Sequence, residues 1–244
     1  GLSLAASGLV VTLTQLGYCA GLLLLVPLGD LLENRRVVVA TLALAVASLA
    51  AAAWSGSAAV FLAASLLVGA GSSAVQMLVP IAAHLAPDAS RGRVVGNVMA
   101  GLILGILLAR PASSLMADAL GWRAVFGGAA ALTALLAALL AWRLPERRPA
   151  PGMGYASLLG SLAPILLRTP LLRRRSAYQA ALFGGFSLFW TAVPVHLAGP
   201  AFGLSQSGIA LFALAGAAGA LAAPVAGRLA DRGWTRAGTG AALA

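Results

Sequence analysis

Long apolar runs alternate along the whole chain with short polar segments that carry arginine. Runs of spanning length lie at 7–29, 37–54, 58–85, 93–117, 122–142, 176–198 and 205–227, and a further run begins near 237. About 20 apolar residues cross the hydrocarbon core of a bilayer as a helix. Strands of a membrane barrel would alternate with period two, and these runs do not. The pattern therefore predicts an all-α, polytopic bundle of transmembrane helices, with seven complete spans plus the start of an eighth.

Composition supports a membrane protein over a nucleic-acid-binding one. The chain is 61% hydrophobic and 9% charged, whereas soluble domains carry about 25% charged residues. A net charge of +10 would indicate nucleic acid only if a polar fold presented a clustered basic face. Here every basic residue is an arginine, and most lie between apolar runs. We therefore expect the lipid bilayer as a partner and no nucleic acid.

The arginines also predict the orientation. If the first run travels toward the cytoplasm, 14 of the 16 arginines fall in cytoplasmic segments, while Arg123 is external and Arg110 lies within a span. Positive residues favour the cytoplasmic side of a membrane. The sequence thus predicts an integral, multi-pass protein of a bacterial inner (plasma) membrane.

One polar segment is much longer than the others and divides the chain. We expect a helix bundle over 1–142 that lacks its first helix, a cytoplasmic central linker over 143–175, and the truncated start of a second bundle over 176–244. On this view the chain is an internal fragment of a longer protein. Leucines recur on one face between 158 and 166. They predict either a short helix on the membrane surface or a plain solvated linker.

Two charged turns repeat in this apolar chain, "PLGDLLENRR" at 27–36 and "GRLADRGWTR" at 227–236. Internal repetition of this kind is typical of secondary transporters. The second turn resembles the cytoplasmic signature of the major facilitator superfamily, roughly Gly-x-Leu-x-Asp-Arg-x-Gly-Arg-Arg. The matching residues are Gly227, Leu229, Asp231, Arg232 and Arg236; Gly233 stands one position early, and Trp234 and Thr235 depart from it. In the first turn Asp30, Arg35 and Arg36 match.

This resemblance implies a bundle of the major facilitator type, running from about the second to the ninth of twelve helices. It implies a secondary active transporter, or permease, that moves a small-molecule substrate by alternating access. Efflux is one direction such transport takes, and a proton or other ion is a candidate coupling partner. The aspartate of the turn is implied to lie near a helix end and to pair with cytoplasmic arginines in one state of the cycle. The predicted conformational latch comprises Asp30, Arg35, Arg36, Gly227, Asp231, Arg232 and Arg236. In the alternative, the aspartates only moderate the positive charge of the loops.

Polar and aromatic residues within the spans are candidates for a substrate cavity. Arg110 is the most costly of them, because arginine at mid-membrane is penalised by at least about 2.5–3.5 kcal/mol; snorkelling to the outer interface is the alternative. Glutamines and a four-three-four aromatic stripe would suit an amphipathic organic molecule, and helix packing would explain them equally well. The cavity candidates are Arg110, Gln76, Gln15, Gln179, Phe183, Phe186 and Trp190.

Other functional classes receive less support. The chain has no lysine and no Gly-x4-Gly-Lys loop for a nucleotide, and its two histidines are isolated, so no enzyme, metal site or cofactor is predicted. A non-transporting receptor or assembly subunit with a transporter fold is the remaining alternative, because fold does not fix function.

Overall fold

A computed structural model describes residues 4–148, 152, 154–199, 202–203, 212, 218–234 and 240. Within these residues the chain is helical, and they contain no strand. The α-helices are α1 (Leu4–Leu24), α2 (Asn34–Ala53), α3 (Ala58–Ser72), α4 (Ala74–Leu85), α5 (Arg91–Leu120), α6 (Trp122–Arg143), α7 (Tyr155–Arg168), α8 (Pro170–Ala198) and α9 (Ala218–Asp231). Short 3-10 helices precede α2 at Val26–Asp30 and α5 at Asp88–Ser90.

The predicted all-α membrane architecture is confirmed. Five stretches of the described residues are long and apolar enough to cross a membrane. They are Leu9–Asp30, Asn34–Ala53, Ala58–Leu85, Asp88–Leu120 and Trp122–Arg143, which correspond to the first five predicted runs. A bent pair of helices, Tyr155–Arg168 with Pro170–Phe186, gives a sixth if it is counted as one span. The total of seven spans stays a prediction, because most of 204–217 lies outside the described residues.

The third span is interrupted near its middle. α3 ends at Ser72 and α4 begins at Ala74. Between them the N–H and the hydroxyl of Ser73 both donate to the carbonyl of Ala70, at 3.2 and 2.7 Å, which replaces the regular helical pattern with a tight turn. Ser73 is fully buried. A hydropathy pattern cannot distinguish such a break from a continuous helix.

Small residues let α1 and α3 cross at close range. A Cβ added to Gly69 would lie 2.8 Å from the backbone nitrogen of Tyr18, and one added to Gly21 would lie 2.7 Å from Oγ of Ser73. Close backbone approach through small residues is the usual basis of helix association in membranes. α4 also contributes to the buried core, where Met77 belongs to the same cluster as Val38 of α2.

A helix does form in the predicted linker. α7 covers Tyr155–Arg168, and its axis turns by 92° into the following helix. The helical prediction for this stretch is confirmed, while its place at a membrane surface and the proposed domain boundaries stay predictions.

Candidate functional site

The second charged turn brings an aspartate to the start of a distant helix. Oδ1 of Asp231 accepts a hydrogen bond from the N–H of Gly92 at 2.6 Å, and Oδ2 accepts one from the N–H of Arg93 at 2.9 Å. These N–H groups belong to the first turn of α5, where backbone donors have no partner within the helix. The local cap residue, Ser90, provides no side-chain hydrogen bond to α5. Asp231 therefore caps α5 from about 140 residues away in the sequence.

Glycines on both helices make this contact possible. A Cβ added to Gly227 would lie 2.9 Å from the carbonyl carbon of Gly92 and 3.3 Å from Cα of Gly96. A Cβ added to Gly92 would lie 2.6 Å from the carbonyl oxygen of Gly227. Any side chain at either position would push the helices apart and draw the carboxylate away from the N–H groups. The close approach of the two helices therefore explains why the signature has a glycine at position 227 as well as an aspartate at position 231.

The displaced glycine of the second turn also has a structural role. Gly233 adopts φ 81°, a left-handed conformation that glycine accepts at little cost. Its N–H donates to Ala230, and the N–H of Trp234 donates to Leu229 at 3.0 Å. This is the glycine C-cap that ends many helices. The cap ends α9 directly after Asp231 and so fixes the aspartate at the helix end.

The first charged turn is organised differently, around Asn34 and Glu33. Oδ1 of Asn34 accepts hydrogen bonds from the backbone N–H groups of Arg35 and Arg147, at 2.8 and 3.0 Å. The N–H of Asn34 also donates to the carbonyl of Arg147 at 3.2 Å. The start of α2 is therefore attached by two backbone-directed hydrogen bonds to the segment that follows α6.

Ion pairs strengthen the same junction. The side chain of Glu33 is buried, and its carboxylate pairs with Nε of Arg36 at 2.8 Å and with Nε of Arg35 at 3.4 Å. Arg35 also pairs with Glu146. A buried carboxylate is tolerated when cations compensate its charge. Both arginines of the first turn therefore have partners close to the start of α2 and the end of α6.

Asp30 occupies a different position from Asp231. It is exposed and lines a cavity of about 540 Å³ together with His84, Asn34 and Arg147. Within the described part of the chain it forms no ion pair. Neither aspartate pairs with an arginine side chain among the described residues, and the pairing that the resemblance implies in one state of the cycle stays a prediction. In this structure helical N–H groups stand where a cation would pair with Asp231.

Among the cavity candidates, the structure brings Gln76 into contact with another polar side chain. Nε2 of Gln76 donates to Oη of Tyr18 at 2.8 Å, joining α4 to α1. Gln76 lies one turn after the break at Ser73, and Gly21 faces that break from α1. Both side chains of the pair are half-buried, so the Tyr18 hydroxyl proton and Oε1 of Gln76 remain available for another partner.

The other candidates are not brought into one site. Gln15 on α1 and Gln179 on α8 are exposed, and the rings of Phe183 and Phe186 stack with centroids 6.1 Å apart. Arg232 is exposed beside the second turn. The side chains of Arg110 and Trp190, and all of Arg236, lie outside the described residues.

Sequence reasoning missed four residues that the structure places in these contacts: Glu33, Asn34, Gly92 and Glu146. Three of them act through the backbone or through partners more than 100 residues away, which a single sequence does not reveal. Gly92 offered a signal, because a glycine between two arginines at the start of an apolar run suggests close approach by another segment.

The sequence is similar to a known protein family and to bacterial proteins named as transporters. The sequence profile of the Major Facilitator Superfamily matches residues 1–244. A protein of Escherichia coli O157:H7 named Uncharacterized transporter YgaY is 46% identical over 233 residues, which are 95% of this chain and 59% of that protein. A protein of Streptomyces coelicolor named Probable transporter SCO4007 is 40% identical over 225 residues, 91% of this chain and 52% of that protein. The chain therefore spans between half and three fifths of the length of these relatives.

Proposed function

Since the chain belongs to the major facilitator superfamily, we propose that it forms part of a secondary active transporter that moves a small molecule by alternating access. The observation that carries this proposal is the capping of α5 by Asp231. Alternating access requires a contact between the two halves of the protein that forms in one state and breaks in the other. The two helices of this contact lie on opposite sides of the predicted linker.

The capping contact has the strength that such a latch needs. A carboxylate at a helix N-terminus contributes about 0.3–1 kcal/mol when exposed, and more when partly buried. Two charge-assisted hydrogen bonds add to this, while exposure of Asp231 to solvent reduces the total. A few kcal/mol is enough to set which state dominates, and small enough to be overcome when substrate binds.

The pair formed by Tyr18 and Gln76 is our candidate for substrate contact. Ligand sites in transporters form where membrane helices are interrupted near the middle of the bilayer, and the pair adjoins the interruption at Ser73. It offers one hydroxyl donor and one amide acceptor, without charge. These groups suit a neutral hydrogen-bonding part of an organic substrate. Arg110, Gln15, Gln179, Phe183, Phe186 and Trp190 remain further cavity candidates.

The source of the relatives bears on the location of the protein. The relatives named as transporters are bacterial, which favours the inner membrane, and efflux is our proposed direction. A receptor or assembly subunit with the same fold remains the alternative function. Nothing among the described residues favours it specifically.

Transport is tested by counterflow in vesicles that contain the full-length protein and a panel of labelled neutral, cationic and anionic organic molecules. We expect accumulation of at least one compound. Tyr18→Phe and Gln76→Ala should each raise the half-saturating concentration about tenfold, the loss of roughly one hydrogen bond at 1.4 kcal/mol. Ser72→Ala is the matched control, because among the described residues the Ser72 hydroxyl bonds only to the carbonyl of Val68 within its own helix. Absence of counterflow for every compound would favour the receptor.

A further inference from the structure

The corner between α7 and α8 has a geometry suited to a membrane surface. α7 ends at Arg168, α8 begins at Pro170, and the two axes meet at 92°. If α8 crosses the bilayer, α7 must lie in the plane of the membrane surface. The corner, which we define as residues 165–175, then lies at the depth of the lipid headgroups.

One side of α7 is attached to the protein, whereas the corner presents exposed apolar side chains. Oη of Tyr155 donates to the carbonyl of Leu24 in α1 at 2.8 Å, and Leu158 lines the cavity beneath the helix. By contrast Ile165 and Leu167 at the corner are 49% and 65% exposed. Such apolar exposure beside a membrane span indicates contact with lipid rather than with water.

Positive charge surrounds these apolar side chains. The corner holds four exposed arginines, Arg168, Arg173, Arg174 and Arg175. No acidic residue occurs in the sequence between Glu146 and Asp231. Nη1 of Arg173 donates to the carbonyl of Leu167 at 3.2 Å, so one arginine stabilises the bend itself.

We propose that the α7–α8 corner binds the headgroups of anionic phospholipids and prefers them to zwitterionic ones. Guanidinium groups bind phosphate oxygens in pairs, and a cluster of four or more basic residues beside a span is typical of anionic-lipid binding. Leucine and isoleucine at the same depth would enter the acyl region beside those phosphates. An acidic soluble protein would match the charge, but it would not cover apolar side chains at the level of the bilayer surface.

The experiment measures which lipid lies beside the corner. The full-length protein, freed of native cysteines, carries a fluorophore on Ala163→Cys, an exposed position of α7. It is reconstituted in phosphatidylcholine vesicles with a series of increasing fractions of brominated phosphatidylglycerol or, in matched samples, of brominated phosphatidylcholine as quencher. Each arginine near the surface contributes up to roughly fivefold in local enrichment of an anionic lipid. We expect phosphatidylglycerol to reach half-maximal quenching at a several-fold lower fraction.

Matched variants separate the corner from net charge. R168Q/R174Q removes two corner arginines and leaves Arg173 at the bend, and it should bring the two lipids close to parity. R143Q/R148Q removes two positive charges elsewhere on the same predicted side and should keep the preference, as should R168K/R174K. Equal quenching by both lipids in the unmodified protein overturns the proposal, and so does an equal loss in both glutamine variants. Quenching by neither lipid also overturns it, because a protein partner would then cover the corner.

Discussion

Replacing Asp231 with asparagine should shift the balance between the two states of the proposed transporter without unfolding it. The carboxylate accepts two hydrogen bonds, from the N–H groups of Gly92 and Arg93. Asparagine has a single acceptor oxygen, so it keeps one bond and turns an N–H₂ donor toward the other N–H group. It also loses the negative charge at the positive end of α5.

The size of the effect can be worked out from these contacts. The lost charge–dipole term is about 0.3–1 kcal/mol at an exposed position, and the lost hydrogen bond adds about 1 kcal/mol. A total of about 1–2 kcal/mol changes a two-state ratio by roughly 5–30-fold. High salt should weaken the unmodified contact, because exposed charges are screened, and it should change the Asn variant much less.

The assay is a distance distribution between spin labels at Leu85→Cys and Trp234→Cys in the full-length protein. Both positions are exposed, one at the end of α4 and the other just after α9. We expect Asp231→Asn to move population from the short-distance to the long-distance state. Asp118→Asn is the control, because Asp118 lies near the opposite end of α5. A population ratio within about twofold of the unmodified protein would refute the latch and leave Asp231 as a loop charge.

Three further predictions follow from the same contacts and from the sequence. Gly227→Ala should favour the same open state as Asp231→Asn, by about 1–3 kcal/mol of steric strain, in the same distance assay. Arg110→Ala should abolish counterflow while membrane abundance stays normal, and Arg110→Lys should retain part of the activity; full activity of the Ala variant would indicate snorkelling. Single cysteines at Gly56 and Leu120 should react with an external impermeant thiol reagent in intact cells, whereas one at Arg148 should not, and labelling at Arg148 would overturn the orientation.

The helices of this protein could be predicted from the sequence because a membrane leaves few alternatives. An apolar run of 20 residues must be helical to satisfy its backbone, and five predicted runs correspond to five candidate spans. The break at Ser73 could not be predicted in this way. It depends on hydrogen bonds from Ser73 to the backbone, and one serine hardly changes the average hydropathy of the run. Gly233 was noted as displaced from the signature, and its role as a helix cap is a local property that the sequence could have revealed.

The pairing partners were beyond the reach of the sequence for a physical reason. Asp231 and Gly92 are 139 residues apart, and their contact depends on how two helices cross rather than on any local pattern. The resemblance to a family indicated that Asp231 is functional, and it implied an arginine as the partner of this aspartate. The unpaired N–H donors at a helix start are also good partners for a carboxylate. Because they are backbone groups, the residue types at these positions do not reveal them.

The two charged turns are alike in sequence but differ in the contacts that they make, and this difference bears on the proposed motion of the protein. In the first turn Asn34 and Arg35 bind Arg147 and Glu146, and Glu33 pairs with Arg35, so this junction joins the start of α2 to the segment directly after α6. In the second turn the carboxylate of Asp231 reaches α5 across the predicted linker. A contact within one rigid body cannot report or control its motion relative to another body, whereas a contact between two bodies must break when they separate. The second turn is therefore the copy whose contacts we propose to govern the proposed transport cycle. The first turn attaches the start of α2 to Arg147, at the beginning of the predicted linker.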